Sequence, residues 1–273
     1  MNKDKKAFII GSVILTILIL LVVFIILFVL YEKEKESMLS TPENEYNVGD
    51  YIYIEKVDYS KYNNLFKGNL ELPKITLKNI PEDIINEFEN NETDILLEIV
   101  NSSKILTEQI KESQYTPVST INIDMDYNIS NSILSIKYVL TIKLDFDLDT
   151  IVKTLYFNYD IKNKLELSNS ELLNKLGYTY SEISEYLFNN IIIKDKNKED
   201  KVIDSINNSE ITIQDIIDNK EEYIGRINNE LENLNIYLDN NSILIGYFYN
   251  DLINICYSLE EENKYEIVEY KKG

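Results

Sequence analysis

Hydrophobic and polar positions along the chain fall into three regimes. Residues 7–31 ("AFIIGSVILTILILLVVFIILFVLY") carry no charge at all. As a helix this run is about 37 Å long, enough to cross a bilayer with some tilt. The second regime is helical. Behind Pro81-Glu82-Asp83, the apolar residues Ile84, Ile85, Phe88, Ile95, Leu96, Ile99, Leu106 and Ile110 recur at helical spacing. This predicts one long amphipathic helix, interrupted near Asn101-Ser102-Ser103, with acids at the positive end of its dipole.

The third regime alternates apolar and polar residues. After Pro117 it predicts three strands, 118–129, 133–144 and 151–161, with Asn131-Ser132 as a tight hairpin between the first two. "YIYIEKV" (51–57) and "ELPKITL" (71–77) read as earlier extended pieces. Ser168, with Glu171 three residues later, predicts a capped helix after the third strand. "SEISEYLFNNIII" predicts a second helix, and Thr212 caps a third running through Leu231. "NIYLD", "SILIGYFYN", "INICYSL" and "KYEIVEY" read as short C-terminal strands, and 194–201 as a solvated loop. The expected fold class is α+β: an antiparallel β-meander with flanking helices, preceded by one N-terminal transmembrane helix.

The organisation follows from these patterns. Residues 1–6 form a cytoplasmic tail, 7–31 a membrane anchor, 32–50 a stalk and 51–273 an extracytoplasmic domain, with 194–211 a candidate boundary between two subdomains. The apolar run is too long for a cleaved signal peptide and ends in charge, so it is read as uncleaved. Lys3, Lys5 and Lys6 place the short end inside by the positive-inside rule. The expected location is the cell membrane, single-pass, with the C-terminal domain outside.

The net charge of -20 disfavours nucleic acid and anionic headgroups as partners and leaves cationic or neutral ones. The chain has no histidine and no tryptophan, one arginine (Arg226) and one cysteine (Cys256). Without histidine there is no Ser-His-Asp or Cys-His catalysis and no histidine zinc site. Cys256 sits in an apolar run and reads as a core residue, with no second thiol for an internal disulfide.

"DMDYN" and "DFDLD" place Asp124, Asp126, Asp145, Asp147 and Asp149 at the spacing that opens a calcium loop. The sixth position lacks glycine and the twelfth lacks glutamate, so neither run is an EF-hand. They remain weak cation candidates, and alternation on a half-solvated strand accounts for them equally. Tyr127, Tyr138, Tyr156 and Tyr159 fall on the predicted meander as candidates for a sugar- or peptide-binding face. No cofactor is expected and no catalytic residue is singled out among 47 acids.

The order "LPKITLKNIPEDIINEF" (72–88), "ISNSILSIKYVL" (129–140) and "TLYFNYDIKNKLELSNSELL" (154–173) resembles the extracytoplasmic domain of RsiV-type anti-sigma factors and PdaC-type peptidoglycan deacetylases. That resemblance implies a sensing or binding part of a membrane-anchored envelope protein. Six residues before the span cannot hold a sigma factor, and a histidine-containing deacetylase centre is missing. The expectation is a non-catalytic binding or sensing protein of the bacterial envelope, its ligand a cell-wall glycan or a basic protein. Two alternatives stand beside it: a structural membrane-complex partner recognised through its span, and a carboxylate-dependent cell-wall hydrolase.

Overall fold

The computed structural model of the chain describes residues 46–113, 119–145, 150–195, 201–240, 242–258 and 264–271. The apolar run 7–31, stalk residues 32–45, Pro117, Asp147 and Asp149 lie outside the described residues. Among the described residues no helix is long and apolar enough to cross a membrane.

The fold is mixed α+β with antiparallel sheets and several helices. It opens with a one-turn helix α1 (Val48–Tyr51), capped by the Asn47 side chain on the Gly49 amide. Residues 46–50 therefore belong to the folded unit rather than to a stalk, and Asn79 Nδ2 ties them down by donating to Asp50 O at 2.8 Å. Strands β1 (Ile52–Asp58) and β3 (Glu71–Leu77) form an antiparallel hairpin pair, with the short β2 (Phe66–Lys67) between them in sequence.

Helix α2 (Glu82–Ser113) follows and runs unbroken through Asn101-Ser102-Ser103, contrary to the interruption predicted there. Ser103 Oγ donates to Val100 O and Thr107 Oγ1 to Ser103 O, both at 2.7 Å. Both hydroxyls bond back to carbonyls of the preceding turn, a local arrangement that a mid-helix Ser or Thr can adopt without ending the helix.

The meander is as predicted within a residue or two: β4 (Ser119–Ser130), β5 (Ile133–Lys143) and β6 (Thr150–Asp160). With β2 parallel to β4, and β7 (Leu165–Glu166) antiparallel to β6, they make a five-stranded sheet. Asn131 and Ser132 both take positive φ, 52° and 61°, the backbone of a type I′ turn that matches the strand twist. At the β6–β7 corner Lys164 occupies the left-handed region, φ 58°. That corner is held by Asp160, whose carboxylate accepts from the Asn163 amide (3.0 Å), Asn163 Nδ2 (2.6 Å) and Lys175 Nζ (2.5 Å).

Ser168 and Glu171 form the expected capping box on α3 (Asn169–Lys175). Thr179 and Glu182 do the same for α4 (Tyr180–Leu187), which ends in a π-turn, Phe188–Ile192. A small hairpin, β8 (Lys201–Ile203) and β9 (Glu210–Thr212), leads into α5 (Ile213–Asp218) and α6 (Lys220–Glu230). The single helix expected over 212–231 is thus broken at Asn219, whose ψ of 29° leaves the helical region.

The last sheet orders β10 (Asn235–Asp239), β11 (Ser242–Phe248) and β12 (Tyr265–Tyr270) antiparallel. The strand expected at "INICYSL" is instead helix α7 (Tyr249–Asn254) and the turn after it. Leu252, Ile253, Cys256 and Tyr257 are the buried positions there, a three- and four-residue spacing that belongs to a helix.

β5 is buried on both sides. Leu134, Ile136, Tyr138, Leu140 and Ile142 join one hydrophobic cluster with α2 and the β1–β3 pair. Phe88 meets Phe157 edge-on at 5.3 Å there, and Tyr138 Oη donates to Pro73 O at 3.0 Å. A second cluster gathers α3 through α7 and the β10–β12 sheet; Val202, in the 194–211 stretch, lies inside it.

β10 crosses the other face of the meander on side-chain amides. Asn158 Nδ2 donates to Ile236 O (2.8 Å) and Asn128 Nδ2 to Leu238 O (2.7 Å), while Ser135 Oγ donates to Asn158 Oδ1 (2.6 Å). Gly246 has no room for a side chain: a Cβ there would lie 1.9 Å from Tyr265 Oη and 2.9 Å from Tyr156 Oη.

Two outcomes follow. Asn158→Ala leaves the buried Ser135 hydroxyl and the Ile236 carbonyl unpaired and is expected to cost about 2 kcal/mol in denaturant unfolding. Gly246→Ala is expected to cost about 1–3 kcal/mol by overpacking. In a Tyr265→Ala background that cost shrinks, a non-additivity read by a double-mutant cycle.

Candidate functional site

Sequence reasoning placed four tyrosines on one meander, and the structure divides them between its faces. Tyr138 and Tyr159 are buried in the first cluster, with half-buried Tyr127 packed against it. Tyr156 lies on the opposite face, cross-strand from Lys137, with its hydroxyl 2.9 Å from that of Tyr265. The four do not make a common surface. Burial pushes the phenols of Tyr138 and Tyr156 well above their ordinary range.

The acids of "DMDYN" also have local partners. Asp124 Oδ2 accepts from Lys137 Nζ at 3.0 Å, and Asp126 Oδ1 accepts from the Tyr127 amide at 2.9 Å. Asp145 donates its amide to Ser119 Oγ at 2.9 Å. Among the described residues no three His, Cys, Asp or Glu side chains gather where they could hold a metal ion.

Among the described residues a concave surface lies elsewhere, between α6, α7 and the β10–β11 sheet. Two cavities of about 490 and 400 Å³ adjoin there and share Glu230, Asp251 and Ile255. The larger is also lined by Arg226, Ser205 and Ile206, and the smaller by Thr154, Asn235 and Phe248. Its position follows from local structure. Glu230 and Asn229 are the last residues of α6, one turn beyond Arg226, and Asp251 is on the exposed side of α7 while Leu252 and Ile253 face the core.

Arg226 braces the larger cavity. Its Nη2 lies 3.0 Å from Asp204 Oδ2 and 2.6 Å from Glu222 Oε1, and its guanidinium stacks on the Tyr223 ring at 4.4 Å. Asp204 accepts further from Tyr223 Oη (2.8 Å) and from the amides of Ile206 (2.9 Å) and Asn207 (2.7 Å). The cluster welds the β8–β9 turn to α6. It also sets the turn's apolar tip, Ile206, at the mouth of the cavity, 67% exposed.

Burial pushes the Asp204 carboxyl up, but the Asn207 amide, the Tyr223 hydroxyl and the Arg226 guanidinium outweigh it and hold the group at about 2. With the only arginine's charge matched by Asp204 and Glu222, the charges on the shared wall are the exposed carboxylates Glu230 and Asp251.

A second buried carboxylate supports the same lobe. Asp195, 4% exposed, accepts from Tyr249 Oη (2.5 Å) and Tyr257 Oη (2.8 Å). Cys256 is fully buried, and burial pushes its thiol up to about 12, so it is a packing residue rather than a nucleophile.

Sequence reading did not single out Glu230, Asp251 or Asp204, because nothing local distinguishes them from the other acids. The one available signal was the lone Arg226 with Glu222 a helical turn before it.

Asp204 sets a pH limit on this lobe. A carboxyl held below its unfolded value contributes stability that is present above about pH 4 and lost as the pH falls toward 2. Unfolding midpoints measured from pH 6 to pH 2 are expected to drop in this window by the equivalent of about 2 kcal/mol. Asp204→Asn is expected to be less stable at pH 6 and to lose the share of that acid sensitivity that Asp204 contributes, keeping the share of the other carboxyls held low, such as Asp160 and Glu232.

No family model matches the chain, and a search of curated proteins returns no match.

Proposed function

We propose that the chain is a single-pass, membrane-anchored binding protein of the bacterial envelope, with its folded unit outside the membrane and its ligand seated in the groove between α6 and α7. The ligand is cationic, in the form of a lysine- or arginine-rich segment of another envelope or secreted protein. The observation that carries this reading is the pair of adjoining cavities whose shared wall presents Glu230 and Asp251.

Three further features support it. The net charge of -20 steers basic partners toward the surface and repels polyanions. Asn229 puts an amide group on the lining of the larger cavity, suited to hydrogen-bonding an extended backbone. The charge-free run 7–31 with three lysines before it is an anchor by length and flanking charge. The order of motifs over 72–173, which resembles the extracytoplasmic domains described above, points to the same placement.

Full-length protein in nanodiscs, titrated with a lysine-rich peptide, is expected to bind it saturably at low salt and more weakly at physiological salt. Combined Glu230→Gln and Asp251→Asn is expected to weaken binding about tenfold or more. An affinity unchanged by both substitutions removes the groove from the proposal. Tighter retention of peptidoglycan fragments than of peptide replaces the basic ligand with glycan.

A further inference from the structure

The other lobe contains a group that the groove does not use. Glu92 lies in the N-terminal half of α2 and is 0% exposed. Its Oε1 accepts the Ile75 amide of β3 at 2.7 Å, and its Oε2 has no hydrogen-bond partner. β3 pairs only with β1, so this side chain is the polar fastening between the hairpin pair and the helix beneath it.

The ionisable groups around Glu92 come from every packed element. Tyr138 approaches from β5, Tyr59 from the turn after β1, Lys74 from β3, Glu55 from β1 and Glu89 from α2 itself. Lys74 is the sole cation among them and is shared with Glu55 at 3.9 Å. A negative charge at Glu92 would have one oxygen without a donor, two acids near by and no access to water, a combination that is costly in a packed interior.

We propose that Glu92 is a protonation-controlled latch: its neutral carboxyl holds the β1–β3 pair on α2, and ionisation loosens the pair. Burial is the main influence on this carboxyl and pushes it up to about 7, against the Ile75 amide and Lys74, which favour the charged form. The docked state therefore binds the proton more tightly than a state in which Glu92 meets water. Docking is strongest below the ordinary glutamate range, weakens as the pH rises toward 7, and levels off above it.

The β1–β3 pair is the first strand pair after the apolar run in chain order. If that run is the anchor proposed above, the acidity to which the latch responds is that outside the membrane. The latch itself does not depend on that reading or on the groove.

The test is hydrogen exchange on the full-length protein in nanodiscs from pH 4.5 to 8, corrected for intrinsic exchange rates. Protection over β1 and β3 is expected to fall by up to about tenfold per pH unit until pH 7 and then level off, while that over β5 changes little. In Glu92→Gln the slope disappears. Protection without a slope in the wild type, or the same slope in Glu92→Gln, overturns the proposal. A carboxyl ¹³C titration of glutamate-labelled wild-type protein gives an independent reading: a buried glutamate titrating near 7 supports the latch, and its absence overturns it.

Discussion

The rest of the structure depends on β5 being covered on both faces. A strand in an antiparallel meander ordinarily turns one face to solvent, but here alternate residues of Ile133–Lys143 enter different environments. Leu134, Ile136, Tyr138, Leu140 and Ile142 take a mainly hydrophobic cover from α2 and the hairpin pair, with one hydrogen bond from Tyr138 Oη to Pro73 O. Ser135 and Lys137, on the other side, take a polar one from Asn158, Asp124 and, through Asn158, the backbone of β10. Hydrophobic cover supplies adhesion without direction, whereas amide-to-carbonyl bonds fix where β10 sits along the sheet. The second lobe is positioned by the polar face, and the groove depends on that position because Thr154 of β6 and Asn235 of β10 both reach its smaller cavity.

How the chain handles buried acid separates scaffold from device. Asp160, Asp195 and Asp204 are each almost fully buried, and each carboxylate is surrounded by donors: a lysine and an amide, two phenols, or an arginine with two backbone amides. For Asp160 and Asp204 the hydrogen bonds and an opposite charge outweigh burial and hold the carboxyl below its ordinary value. Glu92 has one donor on two oxygens, so its proton does what the missing donors would do. The exposed Glu230 and Asp251 are a third case, acids retained at a concave surface where the one arginine is already engaged. Acidic side chains thus serve as braces where donors surround them and, in the proposals above, as a titrating latch and a ligand-facing charge.

What the sequence determined by itself was everything governed by local rules. The three meander strands, the Asn131-Ser132 turn and the Ser168–Glu171 capping box were legible because a strand alternates with period two, a type I′ turn wants two positive φ angles, and a cap is a four-residue pattern. The long helix was legible from its apolar face, although Asn101-Ser102-Ser103 read as a break; the helix runs through it with Ser102 and Ser103 buried and the Ser103 hydroxyl bonded to Val100 O. Helix α7 was misread as a strand because a short apolar run with a cysteine in it fits either period. Only the tertiary structure decided which faces were covered and which acids were surrounded. Tyr138 and Tyr156 are equivalent in sequence pattern yet belong to opposite sides of one sheet, and Glu92 and Asp204 owe their burial, and Asp204 its Tyr223 and Arg226 partners, to segments distant in the chain. Burial and donor count are sums over contacts that are remote in the chain, and no local pattern encodes them.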